Sequence, residues 1–313
     1  MIEAYSIFDD FPIEAANILT DSGIHLTIRP SGVPRPDAAQ MKTILEQHEI
    51  VIIGTSQKIY EDMFENIATP RIIGTASVGI DHIHVPADKT GFVTILNTPA
   101  ANAPSVAEYI VGALLMTRHR IMEGSELYAE GKDNKKLIRK PEDIHGMTMG
   151  FVGAGRISTK VMQLLKPFGL RYICHTDDAP LRQYLIDEYD VQFVSLNELA
   201  ESADVISVNV PSTETTKGLI SNELIDAMKS NATLISISRE QVIDIPALLK
   251  KAERNQNFYA VLDLDVIPAY IGKNNRRNVV ITPHIAGGTI ESRKRMFKEV
   301  AERIVNQMSN MAR

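Results

Sequence analysis

Over the first hundred residues, short apolar runs alternate with stretches whose apolar positions recur every three to four residues. Residues 2–8, 25–28, 50–54, 71–75 and 93–97 read as strands, and residues 12–20 and 38–47 as helices between them. Such alternation predicts a parallel sheet covered on both faces. Pro34-Arg35-Pro36 reads as a loop. A long helix is expected over residues 104–119, where Val106, Tyr109, Ile110, Ala113, Leu114 and Met116 form an apolar stripe and Pro104 suits the first turn. Residues 123–146 are polar, with Gly131, Lys135-Lys136 and Pro141, and read as an exposed excursion suited to a subunit contact. Strand patterns then return at 147–152, 171–175, 191–194, 205–210, 233–238, 259–264 and 279–282, mostly separated by helical ones. A last helix over 290–308 is expected to fold back onto the first part of the chain. The expected domains are residues 1–99 with 288–313, and residues 100–287.

One stretch organises the second domain. Residues 147–152 read as a buried strand, Gly153 and Gly155 as a tight turn, and residues 157–165 as a helix. Missing side chains at such a turn let backbone amides and a helix N-terminus approach a pyrophosphate. Ser158 stands where the third glycine of G-x-G-x-x-G is usual. A glycine-rich turn without a ligand has the same local sequence. The strand at 171–175 follows at βαβ spacing, and Asp177 and Asp178 close it, where a carboxylate would hold ribose hydroxyls. His175 either lines the adenosine side or packs. The fold class is therefore α/β, with two doubly wound parallel-sheet domains. One is a Rossmann dinucleotide-binding domain and the other a discontinuous flavodoxin-like domain. Ligands belong at the carboxyl ends of the strands.

Composition narrows the partners. The chain has 313 residues, enough for two domains, with 44% hydrophobic and 23% charged residues. A net charge of −6 argues against nucleic acid or an anionic membrane as partner. Cys174 is the single cysteine, so no intrachain disulfide forms, which suits a reducing cytoplasm. The first residues lack a basic stretch followed by an apolar core, so no signal peptide is expected, and no apolar run is long enough to span a bilayer. His82 and His84 form an H-x-H pair without a third ligand in view. They are read as surface residues, and no metal is expected.

Candidate chemistry gathers at the predicted strand ends. Ser236-Ile-Ser-Arg239 ends one strand with a cation, Leu262-Asp-Leu-Asp265 the next with carboxylates, and Thr282-Pro-His284 a third with an imidazole. Together with Gly74-Thr-Ala-Ser-Val-Gly-Ile-Asp81, Asn97-Thr-Pro99, Ser105-Val-Ala-Glu108, the Gly153 turn and Asn209-Val-Pro211, these segments resemble the D-isomer-specific 2-hydroxyacid dehydrogenase family over nearly the whole chain. The resemblance implies an NAD(P)-dependent oxidoreductase passing a hydride between nicotinamide and a small 2-hydroxy or 2-keto acid. NAD is preferred, with NADP as the alternative. It also implies a homodimer and a cleft between the two halves. Arg239 would bind the substrate's carboxylate and keto oxygen through its planar fork. His284 would exchange the proton with the keto oxygen. The backbone amides of Ser77, Val78 and Gly79 would hold the carboxylate. Gly153, Gly155, Arg156, Ile157, Thr176, Asp177, Val210, Pro211, Ile237, Asp263, His284 and Gly287 would line the cofactor, with Asp263 taking the carboxamide.

The chain departs from the family pattern at several positions. A Glu usually precedes a Pro just beyond Asp263 and pairs with the catalytic His; here Ile267 stands before Pro268. Asp265 replaces that Glu only if the loop bends differently. Were Asp265 the family Asp, the partner would fall near Tyr270. Glu240 stands where Gly is usual, Thr176 where the ribose-binding Asp is usual, and Asn209 where His is frequent. No basic residue precedes Arg182 to meet a 2′-phosphate, which favours NAD. Two other readings fit the same residues: an NAD(H)-sensing binding protein with little turnover, and a formate-type dehydrogenase, which needs no proton donor.

Overall fold

The computed structural model describes residues 2–132, 140–176, 181–266 and 277–311. In chain order the first elements are β1 (Ile2–Ser6), α1 (Ile13–Asp21), β2 (Ile24–Ile28), α2 (Ala38–Gln47), β3 (Ile50–Ile53), β4 (Arg71–Thr75) and β5 (Val93–Leu96). Two helices follow, α3 (Ala103–Arg118) and α4 (Ile121–Ala129). The chain continues with β6 (Thr148–Val152), α5 (Arg156–Leu165), β7 (Arg171–His175), α6 (Arg182–Tyr189), β8 (Gln192–Phe193), α7 (Leu196–Ser202) and β9 (Val205–Val208). It closes with α8 (Asn222–Ala227), β10 (Thr233–Ser236), α9 (Ile245–Arg254), β11 (Tyr259–Asp263), β12 (Val279–Thr282) and α10 (Ile290–Met311).

These elements form two compact units, Met1–Asn102 with Thr289–Arg313, and Ala103–Gly288. The first holds a five-stranded parallel sheet in the order β2-β1-β3-β4-β5. Its central strands are apolar on both faces: all four residues of β3 and all five of β4 are buried. The apolar face of α10 contributes Phe297, Val300, Ala301 and Ile304 to this core. The helices have local causes. Asp37 accepts the amide of Gln40 at 2.8 Å while Gln40 accepts that of Asp37 at 3.0 Å, a reciprocal cap that starts α2.

The second unit holds a seven-stranded parallel sheet, β12-β11-β10-β9-β6-β7-β8. After β6 the chain winds one way through β7 and β8, then returns to β9 on the other side of β6. The strand order therefore reverses between β6 and β9, which is where an open parallel sheet has its ligand crevice. The strands expected over 205–210 and 233–238 end earlier, at Val208 and Ser236, and the next residues, Asn209 and Ile237, each add one more backbone bond to a neighbouring strand.

The stretch after α3 differs from its sequence reading. Residues 123–146 begin inside the helix α4, with Glu123 and Leu127 buried. The Tyr259 hydroxyl donates to Glu123 at 2.6 Å, and the Arg120 guanidinium lies 4.3 Å from the Tyr259 ring centre. A buried partner and an aromatic face therefore satisfy side chains that look solvated in the sequence. Lys135 and Lys136 lie outside the described residues. No helix among the described residues is long and apolar enough to cross a membrane.

At the amino ends of the strands, Arg118 is 1% exposed. It donates to Glu142 at 2.7 Å, to the Asn231 carbonyl at 3.0 Å, and to the Asp204 carbonyl. One guanidinium thus ties the last turn of α3 to the starts of β9 and β10. Arg118→Met should destabilise the protein by about 1–3 kcal/mol, because it removes three charge-assisted hydrogen bonds and leaves the Asn231 carbonyl without its donor. The urea midpoint measures this, and an unchanged midpoint would refute it. Asp204 belongs to the same knot. Burial pushes its carboxyl up, but Lys229, the Thr148 amide and Arg118 outweigh that and hold it below the ordinary carboxylate range. Its contribution is present above the unfolded-state value and is lost as pH falls through the depressed folded one.

Candidate active site

The glycine turn has the form its residues predict. Gly153 has φ +93°, a region that side-chain-bearing residues avoid. A Cβ there would lie 2.8 Å from Val210 Cγ1. Gly155 precedes the first turn of α5, caps it with no side chain, and has open space where its Cβ would stand. The first amides of α5, at Arg156 and Ile157, therefore face an open cradle at a positive helix end. That cradle fits the pyrophosphate of a dinucleotide. Ser158 does more than fill the third glycine's place. It is fully buried and donates to the Gly153 carbonyl at 2.6 Å. Asn209 donates to Ser158 at 3.0 Å and accepts from Ser207 at 3.0 Å. The two departures from the family pattern, Ser158 and Asn209, are thus partners that lock the turn to the end of β9.

At the end of β7, Thr176 is half-buried, and His175 Nδ1 lies 3.2 Å from the Val194 carbonyl. Asp177, Asp178 and Pro180 lie outside the described residues. The Arg182 guanidinium rests 4.3 Å from the Phe193 ring centre, so the nearest cation after β7 stacks on β8.

The carboxyl ends of β9, β10, β11 and β12 bring the other residues to one edge of the same sheet. Ser238, buried, donates to the carbonyls of Val208 and Val210 at 3.1 and 2.8 Å and so staples the backbone beneath Arg239. Val210 and Ile237 are partly buried beside it, and Pro211 is exposed. Glu240 accepts from Gln241 at 2.8 Å, and its Oε2 is buried with no partner among the described residues.

Asp263 is 2% exposed, and both its oxygens serve the loop that carries the imidazole. Oδ1 accepts from Thr282 Oγ1 at 2.5 Å and from the Ile285 amide at 2.8 Å, and Oδ2 from the Ala286 amide at 2.9 Å. The sequence reading gave Asp263 to the carboxamide; these bonds show a task within the protein, and any carboxamide would share Oδ2. His284 sits in this loop with φ +52°. Its Nδ1 is buried with no partner among the described residues. Asp265 is exposed, while Ile267, Pro268 and Tyr270 lie outside the described residues. Gly287 is half-buried at the loop's end. Sequence reasoning missed Tyr109 and Thr282, whose hydroxyls meet at 2.7 Å. In the sequence Tyr109 carries only a helical-stripe signal.

In the first unit, residues 77–79 follow β4. All three of their carbonyls are occupied. Thr98 donates to Ser77 O through its amide at 2.8 Å and its hydroxyl at 3.1 Å. Asn97 donates to Val78 O at 2.7 Å, and Ser77 Oγ to Gly79 O at 2.7 Å. None of the three amides donates to another protein group among the described residues. The loop is an anion cradle, with donors outward and acceptors held behind. His82, read from sequence as a surface residue, is instead 6% exposed, with Nε2 3.2 Å from Thr75 Oγ1. Thr75 in turn meets Ser77 Oγ at 2.8 Å, so this imidazole braces the cradle, while His84 is exposed. No group of three metal-ligating side chains occurs among the described residues.

Comparison with known proteins bears on the family and the fold. The model of the NAD-binding domain of D-isomer specific 2-hydroxyacid dehydrogenases matches residues 111–286. The hydroxypyruvate reductase of Thermotoga maritima is 30% identical over 274 residues, which are 86% of this chain and 88% of that one. Among solved structures, an acyclic imino acid reductase in complex with NADPH and D-Arg superposes with a TM-score of 0.86 at 22% identity, covering 99% of this chain and 98% of that one. The D-lactate dehydrogenase of Aquifex aeolicus, complexed with NAD and lactic acid, gives 0.78 at 24% identity, covering 98% and 96%. These two likenesses speak to the fold. The chain belongs to the D-isomer specific 2-hydroxyacid dehydrogenase family, with a Rossmann NAD-binding domain and hydride transfer between nicotinamide and a 2-hydroxy or 2-keto acid as its chemistry.

Proposed function

We propose that the protein reduces a small 2-keto acid, and oxidises the matching 2-hydroxy acid, with Arg239 and His284 as its catalytic residues. The observation that carries this reading is the cradle at residues 77–79, whose amides are unspent while every carbonyl is paired. It suits a carboxylate, which accepts several N–H bonds at once. Arg239 forks onto the carboxylate and the keto oxygen and draws charge toward that oxygen. Bound NAD(H) supplies or removes the hydride. His284 gives a proton to the keto oxygen in reduction and takes it back in oxidation, so one hydride and one proton convert the ketone to the alcohol. The open cradle at Gly155 receives the pyrophosphate, and Thr176, half-buried at the end of β7, stands on the ribose side. Arg182, parked on Phe193, supports NAD over NADP. The domain roles follow: the first unit binds substrate and the second the cofactor.

A panel of 2-keto acids with NADH and NADPH, read at the nicotinamide absorbance band, tests this. Turnover of at least one keto acid is expected, faster with NADH. His284→Gln should then lower kcat by about a hundredfold or more. Turnover of formate alone would favour the formate-type reading. NADH binding without turnover of any substrate would favour the sensing role. Either result overturns the proposal.

The reading also includes a homodimer formed through α3 and the stretch after it. Ile121, Met122 and Tyr128 on α4 support it, being 59%, 36% and 75% exposed. Sedimentation velocity should give twice the chain mass, and a monomer at micromolar concentration would refute this part.

A further inference from the structure

The backbone at His284 is in the left-handed region, which is strained for a residue with a side chain and persists only where its surroundings over-determine it. The surroundings here can be traced. Asp263 accepts from the amides of Ile285 and Ala286, just beyond the strained residue, and from the Thr282 hydroxyl, two residues before it. The turn is thus gripped on both sides by one buried carboxylate. The Thr282 hydroxyl has a single proton, and that proton lies on Asp263. The Tyr109 hydroxyl, 2.7 Å from Thr282 Oγ1, is therefore the donor in their contact. Burial pushes the Tyr109 hydroxyl above its ordinary value, and the Asp263 charge pushes it the same way against the Thr282 bond, so its proton stays in place at neutral pH. The series runs from a helix that carries none of the reacting groups, through Tyr109, Thr282 and Asp263, to the loop of His284.

We infer that Tyr109 is a positioning residue for His284: its hydroxyl orients Thr282 Oγ1, which fixes the Asp263 carboxylate that holds the 284–286 turn. This rests on the reading of His284 as the proton carrier. The Tyr109 hydroxyl acts through Thr282. Its effect is on how long the imidazole stays aimed. Loss of the Tyr109 hydroxyl frees Thr282 to rotate, and the carboxylate then shares its acceptors among fewer fixed donors.

The test compares wild type with Tyr109→Phe, Thr282→Val, Thr282→Ser and the double variant Tyr109→Phe/Thr282→Val. Amide hydrogen exchange is measured on the cofactor-free protein, and steady-state kinetics on the best 2-keto acid with NADH. Tyr109→Phe should speed exchange at Ile285 and Ala286 by about tenfold while the urea midpoint stays in place, because the opening is local. The same variant should lose about tenfold or more in kcat with KM for NADH unchanged, as small misplacements of a reacting group are costly. Thr282→Val should match or exceed it, the double variant should be no worse than Thr282→Val, and Thr282→Ser, which keeps the hydroxyl, should restore both readouts. Exchange and kcat of Tyr109→Phe within twofold of wild type overturn the inference. Faster exchange with unchanged kcat overturns it too, since the order of the turn would then not serve the proton step. An enzyme inactive on every 2-keto acid is a different failure. In that case the activity reading falls, and the exchange data alone decide whether the Tyr109 series holds the turn.

Discussion

Gly153→Val is expected to raise the Kd for NADH by about a hundredfold or more, which corresponds to a loss of about 3 kcal/mol. Three causes act together. The backbone at 153 has φ +93°, which a β-branched residue does not adopt without strain of about 1–3 kcal/mol. The first added carbon would meet Val210 Cγ1 at 2.8 Å and the Asn209 carbonyl group at 3.4 Å, so the ends of β6 and β9 must part. Parting them breaks the series from Asn209 through Ser158 to the Gly153 carbonyl, which sets the angle of α5. The variant should therefore also unfold at lower urea. Gly155→Ala separates the two effects. Its Cβ meets nothing within 4 Å, and its φ of −84° suits any residue. That variant should keep the wild-type urea midpoint and still bind NADH more weakly, since the methyl stands in the cradle over the first amides of α5. Calorimetric affinities equal to wild type in both variants would remove the glycine turn from the cofactor site.

Arg239→Lys is expected to lower kcat/KM on the best keto acid by about a hundredfold or more, with the Kd for NADH within about twofold of wild type. Charge is conserved in this change, so its effect isolates geometry. A guanidinium presents two parallel N–H groups to two oxygens, whereas an ammonium presents one point of charge on a flexible stem. The position is well defined here because Ser238 clamps the preceding backbone to Val208 and Val210. The chain leaves Arg239 in a short turn over Glu240–Val242. A Lys therefore starts from the same place and fails only in the fork. Full activity in the variant would exclude Arg239 as the anchor of the acid. A fall in NADH affinity comparable to that in kcat/KM would assign Arg239 to the cofactor instead.

By itself the sequence determined the strands and the fold class, though not the helix α4. The apolar runs at β3, β4, β7 and β12 were legible to within a residue; β3 and β4 are buried throughout, and such strands leave almost no polar positions inside them. Gly153 and Gly155 were legible as the turn between β6 and α5, and Arg239 and His284 as positions just beyond the ends of β10 and β12. Tertiary structure decided whatever depends on which side chains meet across long separations. Glu123 looks solvated in the sequence, yet it is buried because Tyr259, 136 positions later, brings a hydroxyl to it. His82 looked like surface and braces the cradle through Thr75. Ser158 and Asn209 looked like separate deviations and are hydrogen-bonded to each other. Tyr109 and Thr282 lie 173 positions apart, and only the packing of α3 against the sheet makes their hydroxyls partners. Local apolar periodicity records which face of an element is buried. It carries no information about which polar group will stand opposite, because in low dielectric that pairing is set by the donor or acceptor that the rest of the fold happens to bring there.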